Sequence, residues 1–196
     1  MLSLIIFIPL IAALALLMVS RESVAAIKTV GVGAAAASFA LSLWLLFSFD
    51  TANPGMQFVQ TFHWVPALHI NYLVGVDGIS LWMVVLTAFL GLLAVMLSFS
   101  QKEGLRNFVA LILALEAGTL GVFLALDTIL FYVFWELMLV PTYFLIGIWG
   151  EGRRVYATMK FVIYTLVGSL LMLVAIVSLT MVHYGATHDV TFDLRV

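Results

Sequence analysis

The strongest constraint on the fold is a series of six apolar segments that follow one another along the chain. Each is long enough to cross about 30 Å of hydrocarbon as an α-helix, which rises about 1.5 Å per residue. The segments are residues 2–19, 29–49, 79–99, 108–126, 128–149 and 156–184. The sequence therefore predicts an all-α membrane protein, a bundle of about six transmembrane helices forming a single domain over residues 1–196.

The composition supports this prediction. Hydrophobic residues make up 65% of the chain and charged residues 9%, and the mean hydropathy is +1.23. In soluble domains about a quarter of all residues are charged. This chain has far fewer, so we expect lipid to solvate most of its surface. The net charge of -2 does not indicate nucleic acid as a partner, and a chain without cysteine cannot form a thiolate zinc or iron–sulfur site. A signal peptide is the weaker interpretation of residues 2–19, because no basic region precedes them.

The positions of the basic residues predict the orientation. All but one of the 8 Lys and Arg residues lie in or beside three connectors. These residues are Arg21, Lys28, Lys102, Arg106, Arg153, Arg154 and Lys160. The long connector 50–78 has none, and the remaining one, Arg195, lies in the tail. By the positive-inside rule, the three basic connectors face the cytoplasm, while the N-terminus and the loop 50–78 face the outside.

In the outer loop 50–78, polar and apolar residues alternate over 57–64, a pattern that favours a short β-hairpin. His63 and His69 lie six residues apart in this loop. No third type of metal ligand is clustered with them, so we interpret them as solvated loop histidines and predict no metal site.

Two glutamates lie inside the predicted spans. Glu116 is about 15 Å from the outer end of the fourth helix, and Glu136 is about 12 Å into the fifth. The turn at Asp127 is so short that these two helices must be antiparallel neighbours, and Asp127 can cap the fifth helix. The sequence therefore predicts two carboxyl groups at similar depth near the centre of the bilayer.

Carboxylates at that depth usually mark a transport path, because their burial is costly. Desolvation favours the neutral acid, so such a group can take up and release a proton near the ambient pH. We interpret Glu136 and Glu116 as proton-relay candidates. The alternative is that each is a protonated group whose hydrogen bonds hold helices together, an interpretation as good as the relay for Glu116 and less favoured for Glu136.

Further residues have two interpretations each. Pro141 follows Glu136 by five residues and removes a helical hydrogen bond near it, so it either opens room for water or merely kinks the helix. Lys160 either extends to the cytoplasmic surface or feeds a proton path, and it lies about 13 Å in depth from Glu136, too far for a direct pair. Asp77 is predicted to be a helix N-cap rather than a proton-exit group, and His183 a boundary residue rather than a proton carrier.

Several motifs resemble one known family. They are GVDGISL at 75–81, FWELMLVP at 134–141 continuing into YFLIGIWG at 143–150, and YATMKF at 156–161 followed by Tyr164-Thr165 and Gly168-Ser169. In this order and spacing they resemble the antiporter-like subunits M (chain 4) of proton-pumping NADH–quinone oxidoreductase, respiratory complex I. The resemblance covers essentially the whole chain.

The resemblance implies a longer fold of about fourteen helices, of which this chain matches the first six, so we expect an N-terminal portion truncated at its C-terminus. It implies that Glu136, in the Phe-Trp-Glu motif, is the proton-pathway carboxylate of the fifth helix. In the family this group works with a lysine on the seventh helix, a position that this chain lacks. The resemblance gives weaker support for a proton-pathway role of Glu116 and Lys160.

The function implied is that of a proton-translocating membrane subunit with no cofactor of its own. NADH, FMN, iron–sulfur clusters and quinone are expected in partner subunits, and adjacent antiporter-like subunits are the expected neighbours. The implied location is a bacterial inner membrane. One alternative is a subunit of a multisubunit cation/proton antiporter or of a membrane-bound hydrogenase. An alternative from a different class is a non-conducting structural helix bundle.

Overall fold

The structure, a computed structural model, describes residues 1–101 and 103–195. It contains six α-helices and one β-hairpin within these ranges. The helices are α1 (Leu2–Met18), α2 (Val24–Ser48), α3 (Gly78–Leu97), α4 (Leu105–Leu124), α5 (Thr128–Trp149) and α6 (Arg154–Thr187). The strands are β1 (Gln57–Val65) and β2 (Ile70–Val76). Lys102, one of the residues used to predict the orientation, lies outside the described residues.

The helix lengths fit a membrane-spanning bundle. By length and composition, α2 to α6 can each cross a membrane. The 17 residues of α1 give a length of about 25 Å, near the lower limit for a span. The start of α2 differs from the predicted residue 29, because the helix already begins at Val24. The first turn of α2 is apolar, but the charged Lys28 separates it from the longer apolar segment, so the hydropathy pattern places the start too late.

The predicted hairpin is present in the loop between α2 and α3. β1 and β2 are antiparallel, with Thr61 opposite Leu73, and a short 3-10 turn at Pro66–Leu68 joins them. The turn closes at His69, whose φ of 55° is left-handed. The end of β2 is buried against the helix ends, whereas most of β1 is exposed. The hairpin therefore covers one end of the bundle, which we call the hairpin end.

Two aspartates begin helices at the hairpin end, as predicted. The Asp77 carboxylate accepts hydrogen bonds from the backbone N–H groups of Ile79 and Ser80, and the Ser80 hydroxyl accepts one from the Asp77 N–H, completing a capping box. The bond from the Ser80 N–H is the main reason that the pKa of Asp77 is below its ordinary value. Asp127 accepts from Ile129 and Leu130 at the start of α5.

Asp127 also connects three parts of the chain. Its second carboxyl oxygen accepts a hydrogen bond of 3.1 Å from the N–H of Asn71 in β2. Beside it, the tail forms backbone hydrogen bonds with the α4–α5 turn, from Thr128 to Phe192 and from Leu194 to Leu126. Burial raises the pKa of Asp127 above its ordinary value, against the opposing effect of the hydrogen bonds that it accepts.

Helix α4 is the centre of the bundle, and two apolar clusters surround its two ends. It packs against α1, α2, α3 and α5, whereas α6 packs mainly on α5. The hairpin-end cluster contains Leu2, Ile5, Ile6, Leu45, Val74, Val76, Leu81, Val84, Leu120, Leu124, Ala125, Leu130 and Phe134. The far-end cluster contains Ala13, Leu16, Ile27, Ala34, Ala35, Val95, Val109, Ala110 and Leu113.

Basic side chains at the far end bind the carboxyl ends of helices. The Arg106 guanidinium donates to the carbonyls of Leu17 and Val19 at the end of α1, at 3.2 and 3.0 Å. Arg154 donates to the Ile148 carbonyl near the end of α5. These carbonyls have no helical donor, and the helix dipole makes this end negative, so both contacts stabilise the helix ends.

Candidate functional site

Two carboxyl groups lie within the helices, as the sequence predicted. Glu116 is near the middle of α4 and is 4% exposed, and neither of its oxygens has a hydrogen-bond partner among the described residues. Glu136 lies in α5 and is partly buried, and its Oε1 atom is buried without such a partner. Buried polar atoms are nearly always hydrogen-bonded, so these three oxygens are exceptional within the fold.

The Glu116 side chain faces α3. It packs against Gly91 so closely that a Cβ atom on Gly91 would lie 2.5 Å from Cδ and 2.6 Å from Oε2 of the glutamate. The carboxyl group therefore occupies space that any other residue at position 91 would fill.

The Glu136 side chain is on the side of α5 that faces α6. Tyr132, one turn earlier in α5, has its hydroxyl close to both the Glu136 carboxyl group and the Ser169 hydroxyl of α6. Ser169 is buried, with its hydroxyl donating to the carbonyl of Leu166. Glu136 thus belongs to a small polar group, consisting of one carboxyl and two hydroxyls, between α5 and α6.

The contact between α4 and α5 shows why the two glutamates do not meet. Gly118 packs on Met138, whose Cγ would lie 2.8 Å from an added Cβ, and Gly121 packs on Phe134. Each glutamate is two residues, or about 200° of rotation, from the nearest of these contact residues. Both carboxyl groups therefore point away from the shared interface, and the pairing offsets them by about 6 Å in height. The sequence predicted the similar depth but could not predict this rotation.

Pro141 and Lys160 have separate positions. Helix α5 runs continuously through Pro141, whose ring leaves the Leu137 carbonyl without its helical donor next to Glu136. Lys160 is exposed on α6, two residues after Thr158, which packs on Gly147 of α5. Lys160 therefore lies on the side of α6 away from α5, about 13 Å in height from Glu136, so the two do not form a pair.

Three residues of these sites were not identified from the sequence. They are Gly91, Tyr132 and Ser169. Tyr132 could have been found, because it precedes Glu136 by four residues and so lies on the same helix face. Ser169 was recorded only as part of a motif, and no sequence signal pointed to Gly91. His183 lies within α6, one turn before the helix ends at Thr187, and lines a cavity of about 140 Å³ with Thr128 and Asp193.

Comparisons with known proteins agree with this architecture. Residues 125–193 match the family model described as NADH:quinone oxidoreductase/Mrp antiporter, TM. The chain is 46% identical to NADH-quinone oxidoreductase subunit M of Rhodobacter capsulatus, over 97% of this chain and 38% of that protein. The chain belongs to the antiporter-like subunit M family.

Two other members extend the comparison. The chain is 39% identical to F(420)H(2) dehydrogenase subunit M of Methanosarcina mazei, over 98% of this chain and 39% of that protein. Its fold matches a chain of respiratory complex I from Thermus thermophilus with a TM-score of 0.82 and 29% identity, covering 100% of this chain and 38% of that one. The predicted family and helical membrane fold are thereby confirmed, and the chain spans about two fifths of the length of these antiporter-like relatives.

Proposed function

We propose that this chain contributes to a proton-translocating membrane subunit of an NADH–quinone oxidoreductase, with Glu136 as its proton-carrying group. The observation that carries the proposal is the position of Glu136 in the antiporter-like fold: a partly buried carboxyl group in the middle of α5, with one oxygen lacking a partner among the described residues and two hydroxyls nearby. Ionisable groups inside a membrane span are costly and usually functional.

The local chemistry requires only a change of protonation. The Glu136 carboxylate accepts a proton and becomes a neutral acid, then releases it and returns to the charged state. The hydroxyl of Tyr132 can donate and accept hydrogen bonds, so it can orient the carboxyl group in both states, and Ser169 lies on the other side of that hydroxyl. The Leu137 carbonyl, left without a donor by Pro141, offers a further acceptor beside the path. No nucleophile or metal is needed for this reaction.

The rest of the assembly is inferred from the family. We place the basic far end of the bundle in the cytoplasm of a bacterium and the hairpin end outside its inner membrane, following the distribution of Lys and Arg. Protons then enter from the far end, stop at Glu136 and leave at the hairpin end. Redox chemistry belongs to partner subunits, which hold FMN, iron–sulfur clusters and the quinone site. The relative from Methanosarcina mazei is named as a subunit of an F(420)H(2) dehydrogenase, so the electron donor is assigned here to the partner subunits and not to this chain.

Substituting Glu136→Gln in the native complex tests the proposal. Glutamine keeps the size and polarity of the side chain but cannot carry a proton. We expect NADH-driven acidification of inverted membrane vesicles to fall by at least about 100-fold, the usual scale for a lost proton-transfer group. Native electrophoresis should show that the complex still assembles.

Glu151→Gln is the matched control, because Glu151 is an exposed residue of the α5–α6 connector. Its acidification should equal that of the parent. Normal acidification in Glu136→Gln would contradict the proposal and would favour the structural helix bundle.

A cation/proton antiporter is the second candidate, since the matching family model includes both classes in its description. The two candidates differ in their driving force. In vesicles, an antiporter exchanges protons when a sodium or potassium gradient is applied without any electron donor, whereas the proposed subunit acidifies vesicles only when NADH is supplied. Cation-driven exchange that is lost in Glu136→Gln would decide for the antiporter.

A further inference from the structure

Glu116 has a different environment from Glu136, and one residue of α3 defines it. The carboxyl group of Glu116 lies directly over Gly91, where an added Cβ would approach Cδ to 2.5 Å, Oε2 to 2.6 Å and Cγ to 3.0 Å. Real Cβ atoms do not come this close to other atoms, so a side chain at position 91 must displace the carboxyl group. The absence of a side chain on Gly91 therefore decides where this carboxyl group lies.

The surroundings show that the space is a break in the apolar core. Along α4, Glu116 lies between Leu113 of the far-end cluster and Leu120 of the hairpin-end cluster. Gly31 of α2 packs on Val109 of α4, and seven residues further along these two helices are Ser38 and Glu116, so both occupy the same layer. Ser38 and Ala88 of α3 are fully buried, and they are small. Small buried residues at this height leave room for the polar Glu116 side chain.

The same layer contains a second polar group. Pro9 of α1 cannot donate to the carbonyl of Ile5, and the buried Ser38 hydroxyl approaches that carbonyl at 3.4 Å. At about the height of Glu116, the bundle therefore also contains a buried hydroxyl and a backbone carbonyl released from helical bonding.

Close helix packing alone does not account for Gly91. Other helical glycines permit close approach to apolar side chains: Gly31 meets Val109, Gly118 meets Met138 and Gly121 meets Phe134. Among the glycines in the described part of the chain, Gly91 is the one whose Cβ would contact a carboxyl group. Both oxygens of that group lack a protein partner within the described residues, so nothing else fixes their position.

We propose that Gly91 is a positioning residue for Glu116, and that the space it leaves on α3 is where the Glu116 carboxyl group takes up and releases a proton. This inference rests on the proposed function and adds to it a second protonation point, in the four-helix core rather than between α5 and α6. Proton transfer slows strongly when the transferring group is displaced by about 1 Å. Gly91 therefore acts by setting the position of the Glu116 carboxyl group.

The test compares the native complex with three variants, Gly91→Ala, Glu116→Asp and the double variant, by NADH-driven acidification of inverted vesicles. Gly91→Ala should lower acidification by about tenfold or more, because the methyl group displaces the carboxyl group. Adding Glu116→Asp shortens the acidic side chain by one methylene and makes room for that methyl group. The double variant should therefore pump better than Gly91→Ala alone, a coupling that a double-mutant cycle with Glu116→Asp measures.

Two glycines of α2 supply matched controls. Gly31→Ala introduces a similar clash, with Cγ1 of Val109 at 2.7 Å, but no carboxyl group is involved. Gly33→Ala introduces the same methyl group where nothing lies within 4 Å. Both should keep the parent ratio of protons moved to NADH oxidised, and Glu116→Asp should not improve Gly31→Ala.

Infrared difference spectroscopy of the complex gives a readout that does not depend on pumping. On reduction with NADH, we expect a carboxylic C=O band that disappears in Glu116→Gln and changes frequency in Gly91→Ala. An unchanged band in Gly91→Ala, or parent-like acidification by that variant, would overturn the inference.

Assembly distinguishes the remaining outcomes. If Gly91→Ala fails to assemble, recovery of assembly by Glu116→Asp supports the inference, and failure to recover shows that Gly91 serves helix packing. The Glu136→Gln result is independent: normal pumping there removes the proposed function, whereas loss of pumping there with parent-like Gly91→Ala removes only this inference.

Discussion

The two carboxyl groups lie in regions of opposite character. Glu116 is enclosed by α1 to α4, where α4 buries residues along its whole length. Glu136 lies between α5 and α6, and among the described residues α6 buries only Thr158 and Ser169. The enclosed region fixes its carboxyl group by close packing, whereas the open region places the Tyr132 hydroxyl beside its carboxyl group. The comparison shows that one bundle can hold buried acids in two ways.

The largest expected difference between the two regions is in the stability lost when a leucine side chain is removed. Equal losses would contradict the comparison. Leu113→Ala in the far-end cluster removes a fully buried side chain and should lower the free energy of unfolding by about 2–5 kcal/mol. Leu171→Ala on α6 removes a side chain that is 66% exposed and should change it by less than about 0.5 kcal/mol. Thermal unfolding of this 196-residue chain in detergent measures both, and similar losses would show that α6 is packed as tightly as α4.

The hairpin end offers a second comparison, because Asp127 begins α5 and also binds β2. Asp127→Ala removes the acceptor of three backbone N–H groups and should cost about 2 kcal/mol. Asp127→Asn keeps an acceptor oxygen and should cost less. Stability is measured by thermal unfolding, and accelerated amide exchange of Asn71 in the alanine variant would show that the hairpin has loosened. Equal stability of both variants with the parent would contradict the role of Asp127 as a connection.

The polar group of the open region predicts a smaller effect on rate. Tyr132→Phe removes the hydroxyl beside Glu136 and should slow NADH-driven acidification by about tenfold, equivalent to about 1.4 kcal/mol. Tyr143→Phe, a change of the same kind elsewhere on α5, should leave the rate unchanged. A parent-like rate in Tyr132→Phe would show that hydroxyls are dispensable at Glu136 and would remove this distinction between the two regions.

The smallest expected effect is the pH dependence of the stability that the two helix caps, Asp77 and Asp127, contribute. The two contributions change with pH in opposite directions. The folded-state pKa of Asp77 is lowered, so its stabilisation is complete above the ordinary value and is lost as pH falls through the folded pKa. The folded-state pKa of Asp127 is raised, so its contribution is present below the ordinary value and is lost as pH rises through the folded pKa.

Unfolding curves from pH 7 down to about pH 3 test these signs. Relative to Asp77→Asn, the parent should lose stability as pH falls, and relative to Asp127→Asn it should gain. The same sign for both aspartates would contradict the assigned environments.

Much of the fold could be predicted from particular residues. The apolar segments located the helices, the alternation over 57–64 predicted the hairpin, and Asp77 and Asp127 were identified as caps from their position before helices. Hydropathy, strand alternation and capping are local properties, so a single segment is enough to recognise them. The start of α2 was misplaced because the charged Lys28 separates its apolar first turn from the longer apolar segment.

The candidate site was only half predictable. The depth of a carboxyl group follows from counting residues along a helix, and this count placed Glu116 and Glu136 correctly near the middle of α4 and α5. Which neighbour each one faces depends on how the helices are rotated about their axes. The contacts of Gly118 and Gly121 with α5 decide that rotation, and they follow from packing between segments that are distant in sequence.

By itself the sequence determined that the chain is an integral membrane protein, where most of its helices begin and end, and which acids lie near the middle of a helix. Hydropathy and helical rise are properties of one segment at a time. Only the tertiary structure decided that Glu116 packs against Gly91 and that Glu136 joins Tyr132 and Ser169. Those contacts depend on close packing between helices, where a single missing side chain determines which carboxyl group can fit.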